Sequence, residues 1–271
     1  MRLSLQILLS AATALSAVEA FAPTTSFSAR RQQSAASSAS IIPAQSTSPT
    51  TATTLSAELT LYGSQGSRSP LVNWAAYELG LDFDMANDLS KNPHPFGQIP
   101  CLVSKTENGK EEVVFESGAI LLYLDQLAEK PPKNKGEIFS WVQWANASLD
   151  PVCFLETPQG KVYDTGLKDT QNRKIHRLND ILGNQQFLVG EDLTVADVAV
   201  ASYLLYVVQF FPDIDLSTWP HMVRYMKDCA SREAYAKAYG TPVQGFLVDK
   251  LEAMGSETAA NGGSKKLFGM F

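Results

Sequence analysis

From residue 58 the chain alternates, with Leu59 and Leu61 set between Glu58, Thr60 and Tyr62, and then stops at Gly63. A period of two is that of a strand with one buried face. After the polar run Ser64-Gln65-Gly66-Ser67 the period changes, and Leu71, Trp74, Ala75 and Leu79 fall on one side of a helix. Pro70 suits the first turn, where its missing N–H has no intrahelical partner, and Gly80 suits the position just past the end. Residues 81–85 predict a second strand. Pro93 and Pro95 forbid a regular helix in the next stretch, and Ile99-Pro100, directly before the apolar run Cys101-Leu102-Val103, is a candidate cis peptide bond. Asn108-Gly109 marks a hairpin turn between that run and Glu112-Val113-Val114-Phe115. Ser117 is placed as the N-cap of an apolar helix through Ile120, Leu121, Tyr123, Leu124 and Leu127, closed by Pro131-Pro132.

The second half is helical by periodicity. Ile138, Trp141, Val142, Ala145 and Leu149 make one apolar face as far as Pro151. The stretch 195–211 is apolar almost all round, as a helix central to a bundle would be. Thr194 with Asp197 three residues on is the acidic form of a capping box, and Leu193 with Val198 suits a hydrophobic staple. Shorter amphipathic pieces follow at 219–226 and 232–239. After Gly240 the pattern weakens, and residues 241–271 are expected to form a tail with a loose end at Gly262-Gly263-Ser264. The fold class is α+β: a thioredoxin-like βαβ-ββα domain over 58–130, a linker at 131–136, and an all-helical domain over 137–240.

Composition narrows the class of function. The net charge of −6 argues against nucleic acid as a main partner. The three cysteines, Cys101, Cys153 and Cys229, form no CxxC and no metal-ligand spacing with His, so buried, idle thiols and no metal are expected. Residues 1–57 do not belong to the fold. Arg2 precedes an apolar stretch, 3–18, that is too short and dilute to span a membrane, and small residues lead to Ala20-Phe21. From 21 to 57 there is no acidic residue, while Ser, Thr and Ala dominate and Arg30-Arg31 supply the charge. A signal peptide over 1–20 followed by a transit-like segment over 21–57, with Phe21-Ala22-Pro23 at the junction, resembles the bipartite presequence of proteins sent to complex plastids. The alternatives are a secreted protein with a Ser/Thr-rich stalk or a cytoplasmic one.

Phe96-Gly97-Gln98-Ile99-Pro100, followed at hairpin distance by Phe115-Glu116-Ser117-Gly118-Ala119-Ile120, resembles the glutathione-binding half of the glutathione S-transferases. Phe187-Leu188-Val189-Gly190 leading into Leu193-Thr194-Val195-Ala196-Asp197 is similar to the second half of that family, so the resemblance covers about 58–240. It implies an enzyme that activates the glutathione thiol for attack on hydrophobic electrophiles or hydroperoxides, as in detoxification and stress response. It implies glutathione as co-substrate and a homodimer, with no membrane contact in the mature chain. Ile99 would pair its backbone with glutathione, Gln98 and Glu116 would take the ammonium end, and Ser117 its carboxylate.

For the thiolate donor the resemblance offers two frames. Ser64, four before Arg68, fits the Ser-type classes (theta, delta and phi), and Tyr62, six before Arg68, fits the Tyr-type; the Glu116-Ser117 pair favours Ser64. Ser67 is third, with helix capping its expected role. A reductase of this fold needs a cysteine where Ser64 stands, which ranks that activity low. A binder without catalysis is the other alternative. The segment 86–91 is shorter than the family's, leaving Lys91 as the basic residue for the glycine end of glutathione. Trp144, off the apolar face of its helix, is the candidate for the electrophile side, with bundle packing as its other reading.

Overall fold

The computed structural model describes residues 58–106, 108–128 and 134–267, with side chains through 256. The expected presequence and the first half of the expected linker lie outside the described residues. Strand β1 (Glu58–Tyr62) is followed by α1 (Ser69–Glu78), the two-residue β2 (Asp84–Met85), β3 (Cys101–Lys105), β4 (Glu111–Phe115) and α2 (Ser117–Leu127). The sheet order is β2-β1-β3-β4, with β2 parallel to β1 and the other pairs antiparallel. This is the thioredoxin-like arrangement. The second strand is shorter than expected because only Thr60 and Leu61 find partners in it.

Leu59, Leu61 and Leu102 point to one face of the sheet, where they are buried with Leu71, Trp74, Ile120, Leu121 and Leu124 of α1 and α2. The other face carries Thr60, Tyr62 and Val103, half-buried, and Val113, exposed. At the end of α1, Gly80 has φ 66°, and the N–H groups of Gly80 and Leu81 bond the carbonyls of Tyr77 and Ala76. That is the glycine-terminated helix end the sequence predicted. The Ile99-Pro100 peptide is cis, also as expected.

The helical half begins with α3 (Lys135–Trp144), which passes through a π-turn (Ala145–Leu149) into the short α4 (Asp150–Cys153). Ile138, Val142, Ala145 and Leu149 are buried as the periodicity predicted. The helix runs past Pro151, however. A regular α-turn would set the proline ring against the carbonyl of Ala147, and opening the turn to an i→i+5 bond, Asp150 N–H to Ala145 C=O, relieves that conflict. A small hairpin, β5 (Leu155–Glu156) and β6 (Val162–Asp164), precedes α5 (Arg173–Asn184), α6 (Val195–Phe210), α7 (Pro220–Ala230), α8 (Glu233–Tyr239) and α9 (Thr241–Leu267).

Helix α6 is buried on nearly every side, and the capping box at Thr194 and Asp197 is formed. The expected tail is a correction: 241–267 is helical, and Leu247, Leu251 and Met254 are buried, with α9 packed on α7. Their 4- and 3-residue spacing is a helical stripe that the Gly-rich surroundings mask. The two halves are joined by a two-pronged ion pair, Arg232 Nε and Nη2 at 2.6 and 2.7 Å from the Glu78 carboxylate, which also accepts from Trp74 Nε1.

Candidate functional site

Sheet register decides what stands together. Tyr62, Cys101 and Phe115 are cross-strand partners in one row. The segments that leave the sheet next to them are Gly63-Ser64 after β1, Ile99-Pro100 before β3, and Glu116-Ser117 after β4. All three therefore emerge at the same edge, over two strand spacings, or about 10 Å. An extended tripeptide is about 10 Å long.

At one end of that row is the serine loop. Ser64 is half-buried, and its backbone is held from both sides: its N–H bonds Ser69 Oγ at 3.1 Å, and its C=O accepts from Ser67 Oγ at 2.9 Å. Ser67 and Ser69 hydroxyls are 2.7 Å apart, and Ser69 N–H donates to Ser67 Oγ. Ser67 thus serves the helix start, one residue outside the cap position, which belongs to Arg68. The side-chain oxygen of Ser64 makes no hydrogen bond among the described residues. Gly63 has no room for a side chain, since a Cβ there would lie 2.2 Å from Ser69 Oγ. Tyr62 sits half-buried on the sheet face opposite Leu59 and Leu61.

At the other end, Glu116 is exposed and has φ 68°, the one described non-glycine residue with positive φ. Such strain is held by its surroundings and gathers at ligand sites. Here the structure corrects the sequence by one residue: Glu116 occupies the cap position of α2 and the buried Ser117 is the first helical residue, without a side-chain capping bond. Both stand at the positive end of the helix dipole. Between the two ends, Gln98 is half-buried with its carbonyl held by Asn92 Nδ2 at 2.7 Å. Buried His94 takes the Phe96 N–H on Nδ1 and packs its ring 4.9 Å from Phe115. This loop scaffold was missed in the sequence, where only its prolines stood out. Lys91 is exposed and 3.8 Å from Asp88.

Trp144 is half-buried and edge-on to Trp141. Other residues of the helical half meet the serine loop. Arg68 Nη2 bonds Asp150 Oδ2 at 2.6 Å and its guanidinium lies over the Tyr203 ring, while Gln65 Nε2 bonds the Ala238 carbonyl at 3.2 Å. Burial pushes the Asp150 carboxyl up, and Arg68 pulls it back down. Beside Ala238, Tyr239 begins an aromatic wall of Tyr206, Phe210 and Phe154. No spacing rule in the sequence ties these residues to Ser64. A cleft of about 510 Å³ between α7 and α9 lies elsewhere, lined by Val223, Lys227, Leu251 and Glu252.

The cysteines are all buried. Burial pushes the Cys101 thiol up to about 11 and those of Cys153 and Cys229 well above their usual value. A thiol of pKa 11 is only about 0.1% ionised at pH 8. An aromatic disulfide reagent at pH 8 is therefore expected to label none of the three in the folded protein and all of them after denaturation. One fast-reacting thiol would return cysteine chemistry to consideration.

Comparison with known proteins agrees with this architecture. Residues 57–126 match the family described as glutathione S-transferase, N-terminal domain, and 142–233 match glutathione S-transferase, C-terminal domain; together they cover more than half of the chain. A glutathione S-transferase domain-containing protein of Dictyostelium discoideum is 26% identical over 169 residues, 56% of this chain and 64% of its own length. A GST-like protein of Streptococcus mutans is 29% identical over 178 residues, 59% of this chain and 65% of its own. The chain thus spans a little less than two-thirds of the length of these relatives. The disulfide-bond oxidoreductase YfcG of Escherichia coli is 27% identical over 157 residues, 53% of this chain and 72% of its own. Among solved structures, a glutathione transferase of Methylococcus capsulatus has a TM-score of 0.54 at 23% identity, covering 69% of this chain and 98% of its own. A homologue from Lodderomyces elongisporus, with two glutathiones per subunit, has 0.53 at 23%, covering 68% and 99%. The fold, both domain matches and these relatives agree: the chain belongs to the glutathione S-transferase family.

Proposed function

We propose that this protein is a glutathione transferase in which Ser64 Oγ holds the glutathione thiolate. The observation that carries the reading is the common edge: a locked loop whose Ser64 hydroxyl has no partner among the described residues, an extended segment and a helix N-terminus, spaced for a tripeptide. A free thiol of pKa near 8.5 is only about 3% ionised at neutral pH, and the thiolate is the nucleophile. Lowering the pKa by about two units takes ~2.7 kcal/mol of preferential thiolate stabilisation. Ser64 donates from the N-terminal side of α1, where the helix dipole adds to the effect.

Ile99 and Pro100 lie just outside the ladder, so the cysteinyl backbone of glutathione adds to Ile99 as a further strand. Glu116 and Gln98 take the ammonium group. Ser117 and the α2 N-terminus take the neighbouring carboxylate. Lys91 is the cation on the glycine side, at an open end. The electrophile lies against the wall of Phe154, Tyr206, Phe210 and Tyr239 in preference to Trp144, because that wall adjoins the residue gripped by Gln65. Plastid delivery by 1–57 and homodimerisation belong to the same reading; imaging a fluorescent fusion of 1–57 and light scattering on 58–271 check them.

A second reading has its own support. Two glutathiones per subunit are present in two of the similar structures, and one relative is named a disulfide-bond oxidoreductase. With every cysteine buried, both thiols of such an exchange would come from glutathione. Calorimetric titration with glutathione, followed by assays with 1-chloro-2,4-dinitrobenzene, cumene hydroperoxide and 2-hydroxyethyl disulfide, separates the readings. Turnover of the first two supports the transferase, turnover of the third alone supports disulfide exchange, and binding without turnover leaves a non-catalytic binder. Absence of glutathione binding rejects all three.

A further inference from the structure

The contacts behind the two ends of the groove form one chain. Asp150, at the end of the π-turn, holds Arg68, the cap residue of α1 four positions after Ser64. Arg68 lies 5.0 Å from the centroid of Tyr203, whose hydroxyl donates to Asn146 Oδ1 at 2.8 Å. Asn146 is itself in the π-turn, and its Nδ2 donates to the Val142 carbonyl at 2.8 Å. The same Nδ2 lies against Gly118, where an added Cβ would be 2.7 Å away. Gly118 directly follows Ser117. The π-turn and the residue that follows it thus present two polar side chains, Asn146 toward the carboxylate end and Asp150 toward the thiol end, and Tyr203 joins them through Arg68.

We propose that Asn146 and Asp150 are positioning residues that couple the two ends of the glutathione groove, so that the helical domain sets the spacing between Ser64 and Ser117. This rests on the glutathione site proposed above. An α-helical turn at 145–149 would change the phase of Asp150 relative to α3. Arg68 and Gly118 could not then both be met from one helix. π-turns inside helices are frequent at functional sites, and here the turn has an identifiable task. The coupling also explains a glycine inside the first turn of α2, where a helix otherwise favours a side chain.

The test is reciprocal. Asn146→Ala removes a contact at the carboxylate end, yet it is expected to raise the pKa of the bound thiol, read from the ultraviolet absorbance of the thiolate against pH. The expected shift is about half a unit or more, with roughly three- to tenfold weaker glutathione binding. Asp150→Asn removes a charge at the thiol end, yet it is expected to weaken binding of S-methylglutathione, which has no thiol to ionise. The two changes together should cost less than the sum of each. Gly118→Ala should weaken binding by crowding Asn146, and adding Asn146→Ala should restore part of it. Circular dichroism melting confirms that each variant is folded. An unshifted thiol pKa in Asn146→Ala, or additive effects, overturns the coupling while leaving the glutathione site intact. No binding by the unaltered protein overturns both.

Discussion

Ser64→Ala is expected to lower kcat/KM with an electrophile by roughly 10²- to 10³-fold, the usual loss on removing one oxyanion donor, while glutathione still binds. The hydroxyl has no partner among the described residues, whereas the Ser64 backbone is fixed by Ser67 and Ser69. Removing Oγ therefore leaves the loop in place and takes away only the thiolate's donor. The sign with pH follows. A donor that favours the thiolate lowers the thiol pKa, so its removal raises that pKa. The acid limb of the kcat/KM profile then moves to higher pH. The loss is greatest at low pH and shrinks where the thiolate forms unaided. Tyr62→Phe serves as the comparison. Tyr62 stands in the strand, on the sheet face opposite the buried Leu59 and Leu61, and its loss is expected to change kcat/KM by less than about threefold against that 10²-fold scale. The reverse pattern, an inactive Tyr62→Phe beside an active Ser64→Ala, would give the thiolate to Tyr62.

The largest effect on stability is expected at Asp197, far from the groove. Its carboxylate is fully buried and accepts four bonds: Leu188 N–H at 2.8 Å, Tyr225 Oη at 3.1 Å, and Thr194 N–H and Oγ1 at 2.9 and 3.2 Å. Burial pushes this carboxyl up, and the donors pull it back toward the ionised form. Asp197→Ala leaves two backbone N–H groups without partners, reduces the Tyr225 hydroxyl to its longer bond with the residue-197 carbonyl at 3.3 Å, and opens the capping box of α6. At about 1–3 kcal/mol for each buried group left unpaired, a total of roughly 3–5 kcal/mol is expected. The melting temperature would fall by about 10 °C. Urea unfolding at constant m-value measures it, and a loss below about 1 kcal/mol would show that the loop before α6 relaxes to water instead. Asp197→Asn, which keeps one acceptor oxygen, should fall between.

The parts of the fold that follow from local rules could be read directly. The alternation of Leu59 and Leu61, Pro70 and Gly80 around α1, and Thr194 with Asp197 each involve residues within a few positions of one another. Helix α5 escaped notice because Arg173, Lys174, His176, Arg177 and Asp180 dilute the stripe of Ile175, Leu178 and Leu182, although Asn172 at the cap was a usable signal. The π-turn leaves no trace in the apolar pattern, since Ala145 and Leu149 keep an ordinary spacing of four. The site divides in the same way. Ser64, Gln98-Ile99-Pro100 and Glu116-Ser117 lie in short motifs beside strand ends. Asp150, Tyr203 and Ala238 reach the serine loop from 82 or more residues away, through packing that no local spacing encodes. The positive φ of Glu116 belongs to a residue type that gives no hint of it.

The row Tyr62–Cys101–Phe115 gives the chain a form of self-inspection. Side chains in a strand alternate with a period of two, so a slip of one residue between β1 and β3 would turn Leu102 out of the core as it moved Ile99 out of line with Ser64. A misaligned groove and a broken core are one error. Quality control in the cell, which detects exposed apolar surface, thereby also removes molecules with a misassembled site. Sequence drift in the strands is filtered for the spacing of the groove even when no substrate is present.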